Sequence, residues 1–342
     1  MPHLDRRGFL KAGAWAAGSA ALARPAIGGA WAAGETLTLY NGQHEKTTRA
    51  LIDVFSGATG IRVNVRQGSS SQLANQLIEE GDASPADVFY SEESPPLVAL
   101  ANRSMLATLD DDTLKQVPPI YAAKDRTWVC ASLRSRVVAY NKAMVSEGEF
   151  PASVLGFAAE AWKDRVAYVP TSGALLEQIM AIELLDGRDA ALEWLKGLKA
   201  HGRLYPTNGA AMKAVEDGEI ATALINNYYW FSIAQEAGDA NMKSALFYYG
   251  HKDPGALISA TAAGVLKSSR KQDLARRFVA FMVSEGGQQA IVDSMAEYPV
   301  RPGIESTFAL KPFDELDPPA IGPADIGDAA DALVLIREAG LA

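Results

Sequence analysis

Thr36-Leu37-Thr38-Leu39-Tyr40, Ile61-Arg62-Val63-Asn64-Val65 and Asp87-Val88-Phe89-Tyr90 are three short runs rich in β-forming residues. Between the first two, Ala50, Leu51, Val54 and Phe55 recur at helical spacing, and Gly57-Ala58-Thr59-Gly60 closes the stretch. Between the second and third, Ser69-Ser70-Ser71 offers a helix cap, Leu73 and Leu77 share one face, and Gly81 stops the pattern. Strand, helix, strand, helix, strand is the rhythm of a parallel sheet with helices on its faces. The fold class is α/β.

With 342 residues there is room for two such domains. Two strand-like runs, 128–131 and 137–140, flank Ser132-Leu133-Arg134-Ser135, read here as a crossover into the second domain. That domain holds a strand at Arg165-Val166-Ala167-Tyr168-Val169 and a turn, Pro170-Thr171-Ser172-Gly173-Ala174, opening a helix with Leu175, Ile179, Ile182 and Leu185. A helix over 189–200 and another after Thr207-Asn208-Gly209 precede the apolar strand Ala221-Thr222-Ala223-Leu224-Ile225. The apolar stretch 256–265 returns to the first domain. An amphipathic helix over 272–283 follows, with Leu274, Phe278, Phe281 and Met282 inward.

Composition narrows the class of protein. Hydrophobic residues make up 48% and charged residues 21%, as in a folded soluble chain. The single cysteine, Cys130, excludes an intramolecular disulfide and a multi-cysteine metal site; its apolar surroundings predict a buried thiol. Asp5-Arg6-Arg7-Gly8-Phe9-Leu10-Lys11, an Ala/Gly-rich apolar stretch and Ala30-Trp31-Ala32-Ala33 read as an export signal over residues 1–33. The arginine pair resembles a twin-arginine signal, with Asp5 where Ser or Thr is usual. Loss of that segment removes Arg6, Arg7, Lys11, Arg24 and Asp5, leaving 28 basic and 40 acidic residues, a net charge of −12. So acidic a chain is unsuited to nucleic acid or an anionic membrane surface.

Chemistry gathers at strand ends, where open α/β sheets bind ligands. His44 follows the first strand, Glu92 the third, and Tyr228 and Tyr229 the strand ending at Asn226-Asn227. Singly these are a surface histidine, a solvated carboxylate and two packed phenols. Jointly they form an N/O donor set suited to a hard cation. Two phenolates and a carboxylate carry three negative charges, enough to neutralise a trivalent ion, and tyrosinate ligates ferric iron in haem proteins. The turn through Ser172 can hold an anion on backbone N–H groups, with Asn208 and Asn226 as further amide donors.

Tyr40-Asn41-Gly42-Gln43-His44, Ser84-Pro85-Ala86-Asp87-Val88-Phe89-Tyr90-Ser91-Glu92, Val169-Pro170-Thr171-Ser172-Gly173-Ala174, Asn226-Asn227-Tyr228-Tyr229-Trp230 and Asp253-Pro254-Gly255-Ala256-Leu257 together resemble one family. It comprises the periplasmic ferric-ion-binding proteins of bacterial iron ABC importers. The resemblance implies a two-lobed, type II periplasmic-binding-protein fold, each lobe a mixed sheet flanked by helices, with an interdomain cleft. Residues 34–134 plus 259–310 would form the N-terminal lobe, and 135–258 plus 311–342 the C-terminal lobe. It implies His44, Glu92, Tyr228 and Tyr229 as iron ligands. A synergistic anion, phosphate or another, would lie on Ser172, Gly173, Ala174, Asn208 and Asn226. The expected partner is an inner-membrane permease that receives the ion from a monomeric periplasmic carrier.

Two other readings compete. One keeps the fold and exchanges iron for an organic anion, but leaves His44 and Glu92 beside the tyrosines without a use. The other is a secreted enzyme; no nucleophile–base pair supports it, and His201 and His251 occupy helix-end or turn-like segments. The expectation is a carrier, not an enzyme.

Overall fold

A computed structural model describes residues 35–342. The export signal expected at residues 1–33 lies outside them. β1 (Thr36–Asn41), α1 (Glu45–Thr59), β2 (Arg62–Gln67), α2 (Ser70–Glu80) and β3 (Val88–Ser91) form the expected unit, its strands parallel in the order β2-β1-β3. Ser69 caps α2 by accepting the Gln72 N–H. α1 ends on Gly60, whose φ of 73° is the left-handed conformation that glycine adopts without a Cβ penalty. β2 is the sheet edge, so its alternation buries little, and Ile61 just before it is the enclosed residue. α3 (Pro95–Asn102), β4 (Leu106–Ala107) and α4 (Asp111–Leu114) follow.

β5 (Trp128–Asn141) corrects the sequence reading. Its fourteen residues form one continuous, wholly buried strand rather than two runs around a crossover. The stretch 132–135 had the look of a crossover, but Ser132, Arg134 and Ser135 each find a partner within the protein. Ser132 donates to Glu297, Ser135 N–H to Asn227 Oδ1, and Arg134 to the Glu92 carbonyl. Beyond the tetrad, Arg136 donates to Gln178 and Asn226.

The chain continues through β6 (Val166–Tyr168), α5 (Gly173–Asp186), α6 (Arg188–His201), β7 (Arg203–Leu204), α7 (Asn208–Asp217) and β8 (Thr222–Asn226). α8 (Tyr228–Ala237) and β9 (Ser244–Phe247) come next, then β10 (Ile258–Leu266), α9 (Gln272–Met282), α10 (Glu285–Ser294), β11 (Tyr298–Pro299) and α11 (Ala330–Glu338). The main strand order is β2-β1-β3-β10-β5-β8-β6-β7, one mixed sheet flanked by helices. β5 belongs to both ends of it. Residues 128–135 pair antiparallel with β10, and residues 136–141 with β8 and β9.

Apolar packing divides along the same strand. One core draws on residues 37–133 and 258–316; two others draw on residues 137–257, one of them also on 326–339. In the first, α9 turns Leu274, Phe278 and Met282 inward, and Phe278 meets Phe55 edge-to-face at 4.9 Å. Each such side chain contributes about 1.5–3 kcal/mol on burial. Phe281 is only partly buried against this core. Cys130 lies fully buried within it, and burial pushes its thiol up, so it is an inert apolar filler.

Candidate metal centre

Three strand ends deliver the donors. His44 occupies the N-cap position of α1, three residues beyond β1, without a side-chain capping bond, and its N–H donates to the Gln43 Oε1 at 2.7 Å. Glu92 follows β3, held through its N–H on the Ser70 hydroxyl at 2.8 Å and through its carbonyl on Arg134. Tyr228 is the first residue of α8, directly beyond β8. Asn227 fixes that junction: it exchanges two bonds of 3.0 Å with the Ser135 backbone and donates to the Ala296 carbonyl at 2.8 Å.

These elements bring the four nominated ligands together. His44 Nε2 lies 3.4 Å from Glu92 Oε1, and the Tyr228 hydroxyl donates to the same oxygen at 2.9 Å. The His44 and Tyr228 rings meet edge-on at 5.1 Å, and the Tyr228 and Tyr229 rings lie 4.3 Å apart. His44 Nε2 has no hydrogen-bond partner. Two donors sharing one ion at bonds of roughly 2 Å stand about 3 Å apart when adjacent, so the spacing around Glu92 Oε1 suits an ion. Side-chain exposures of 30% for His44 and 23% for Glu92 leave the group reachable from solvent. Among the described residues no three His, Cys, Asp or Glu side chains cluster as metal ligands. The further oxygen donors beside His44 and Glu92 are the phenols of Tyr228 and Tyr229.

Electrostatics set the protonation of the group. Burial, then the Glu92 charge and the neighbouring Tyr229, push the Tyr228 hydroxyl well above its usual value, against the opposing pull of Arg134. Tyr229 is raised for the same first two reasons. Without a cation, both phenols keep their protons. Arg134 is fully buried; desolvation opposes its charge, but Tyr228, Glu297, Glu177 and Glu92 around it more than compensate. Its positive charge is permanent.

The nominated anion residues only partly share a site. Ser172, Gly173, Ala174 and Asn208 line a cavity of about 240 Å³ together with Glu92, Glu93 and Tyr229. Ser172 caps α5 on the Leu175 N–H, and Asn208 Nδ2 donates to the Tyr229 hydroxyl at 3.4 Å. Asn226 is not among the lining residues; it is fully buried, and its Oδ1 accepts from Arg136 at 3.1 Å. His201 hydrogen-bonds the Ala158 carbonyl, and the His251 side chain is fully exposed, both away from this cluster.

Arg134, Asn227 and Glu93 are the residues that sequence reading missed. Arg134 was hidden in an apparent crossover, and Asn227 was read only as part of a motif. Glu93 was overshadowed by its neighbour, although a second carboxylate at the same strand end was a visible signal.

Residues 50–312 match the family described as bacterial extracellular solute-binding protein. The "Major ferric iron-binding protein" of Neisseria meningitidis is 46% identical over 309 residues, 89% of this chain and 93% of that protein. The "Fe(3+)-binding periplasmic protein" of Serratia marcescens is 37% identical over 90% of this chain and 91% of its own length. In structure, iron-bound HitA from Pseudomonas aeruginosa superposes with a TM-score of 0.87 at 49% identity, covering 90% of this chain and 99% of that one.

Proposed function

Because the chain belongs to the bacterial extracellular solute-binding proteins, and within them to the type II ferric-ion-binding proteins, we propose that it captures ferric iron and delivers it to a membrane permease. It is a binding protein, not an enzyme, like these relatives. The observation that carries the proposal is the convergence of His44 Nε2 and the Tyr228 hydroxyl on Glu92 Oε1, at 3.4 and 2.9 Å, with the histidine nitrogen left without a hydrogen-bond partner.

In this reading the two sets of cores are two lobes, residues 34–134 plus 259–310 and residues 135–258 plus 311–342, joined through β5 and β10. Glu92 comes from the first and Tyr228 from the second, so one ion spans the cleft, and its release requires the lobes to part. The ion replaces the phenolic protons: Tyr228 and Tyr229 ionise against it, Glu92 adds the third negative charge, and His44 binds neutral. Phosphate or another synergistic anion occupies the cavity at the start of α5, where N–H groups and the helix dipole favour negative charge. Ser172, Gly173, Ala174 and Asn208 contact it, and Asn226 acts from behind through its amide. The carrier is a periplasmic monomer, exported by the twin-arginine signal at Arg6 and Arg7.

Native mass spectrometry of the processed protein with a ferric chelate, with and without phosphate, tests this proposal. One ferric ion per monomer, retained better with phosphate, is the expected result; no metal adduct under either condition refutes it.

A further inference from the structure

Glu297 is a fully buried carboxylate between α10 and β11, and nothing in the proposed function uses it. Two donors converge on it: the Ser132 hydroxyl at 2.5 Å, and Gln43 Nε2 at 3.4 and 3.5 Å from its two oxygens. Arg134 attracts it as well. Gln43 is itself fully buried, and its Oε1 accepts the His44 N–H at 2.7 Å. A chain of bonds therefore runs from Glu297 through Gln43 to the backbone of a nominated ligand. The preceding residue, Ala296, accepts from Asn227 at the start of α8, so residues 296–297 reach both the His44 and the Tyr228 sides of the cluster.

Chemistry fixes the direction of the chain. An amide side chain has one end that donates and one that accepts, and its neighbours decide which way round it sits. A carboxylate offers acceptors alone, so Gln43 turns its NH2 toward Glu297 and its oxygen toward His44. The flipped amide would set oxygen against carboxylate and NH2 against the His44 N–H, leaving buried groups unpaired.

We propose that Glu297 is a positioning residue for His44, orienting the Gln43 amide so that the histidine backbone is held in place for the ion. Its purpose rests on the ferric-carrier reading, but the hold on His44 is measurable without iron. Two substitutions separate reach from charge. Glu297→Asp keeps the charge beside Arg134 but, one methylene shorter, withdraws it from Gln43. Glu297→Gln keeps the reach and an acceptor oxygen for Gln43, and the Ser132 hydroxyl can turn to accept its new N–H.

Hydrogen exchange of the His44 amide in the iron-free protein, followed by NMR, is the first arm. Exchange should be about tenfold faster in Glu297→Asp, as for one lost hydrogen bond, and within about twofold of the parent in Glu297→Gln. Ferric affinity by chelator competition is the second arm. Glu297→Asp should weaken it roughly 10- to 100-fold, as outer-shell partners do, yet change it by less than about twofold once His44→Ala is present. Thermal unfolding reads the fold separately. Should Glu297→Asp fail to fold, Gln43→Met, which removes the amide and leaves the carboxylate, replaces it with the same expected losses. Unchanged His44 exchange, an equal loss in Glu297→Gln, or the same loss of affinity with and without His44 overturns the inference. The expected exchange pattern in a protein that takes up no ferric iron supports the hold on His44 while overturning the iron reading.

Discussion

The Tyr228 hydroxyl donates to Glu92 Oε1 at 2.9 Å, joining residues 136 apart in the chain that follow strands on opposite sides of β5. With His44 Nε2 3.4 Å from the same oxygen, the phenolic proton of Tyr228 lies where a trivalent cation would sit. Replacing phenolic protons by the ion is the chemistry on which the proposed function turns.

Tyr228→Phe removes one phenolate and keeps the ring. Ferric affinity should fall by more than the roughly 10–100-fold that outer-shell partners of metal ligands are worth. The fold should lose only the Glu92 hydrogen bond, about 1 kcal/mol in chemical denaturation. Chelator competition measures the first effect, and an unchanged affinity removes Tyr228 from the site.

Acidity should weaken iron binding. Burial first, then the Glu92 charge, raises both Tyr228 and Tyr229, so the iron-free protein carries both protons throughout the neutral range and binding must expel them. Each proton expelled costs about tenfold in affinity per unit fall in pH. Ferric affinity between pH 6 and pH 8, corrected for the competing chelator, should therefore fall steeply as pH falls. A flat profile would mean that no phenol ionises.

Asn227→Ala should act on the fold and the site together. It strips the buried Ser135 N–H and the Ala296 carbonyl of their partners, for a loss of about 2–4 kcal/mol in stability. Because Asn227 sets the start of α8, ferric affinity should drop as well. Denaturation and iron titration of the same variant separate the two effects.

Substitution of Arg6 and Arg7 by lysine tests the export route. If the twin-arginine reading holds, the doubly substituted protein should accumulate unprocessed in the cytoplasm. Normal processing would assign export to the general secretory route.

Much of the fold was legible because period-2 and period-3.6 patterns are written in apolar residues: β1, β3, α1, α2 and α9 stand where alternation or helical spacing put them. What escaped was buried polarity. Ser132, Arg134 and Ser135 look like a break between strands in a linear sequence, because the groups they bond, Glu297, Glu92 and Asn227, are distant in the chain. The meeting of His44, Glu92, Tyr228 and Tyr229 was legible in part from one fact, that each follows the carboxyl end of a strand; the structure adds that β8 runs opposite to β1 and β3, so that these ends point toward one another along β5. Asn226 shows the limit of that logic. As the last residue of β8 it stays in the strand and faces Arg136, while Tyr228, two residues on, faces Glu92. Glu93 could only be placed once α5 was seen to start against it.

The most direct test of the central claim is a visible absorption titration of the processed protein with a ferric chelate in the presence of phosphate. The account predicts a phenolate-to-iron charge-transfer band that saturates at one equivalent of iron and is strongly diminished in Tyr228→Phe. Iron uptake without such a band, or no uptake at all, would contradict a ferric site built on Tyr228 and Tyr229.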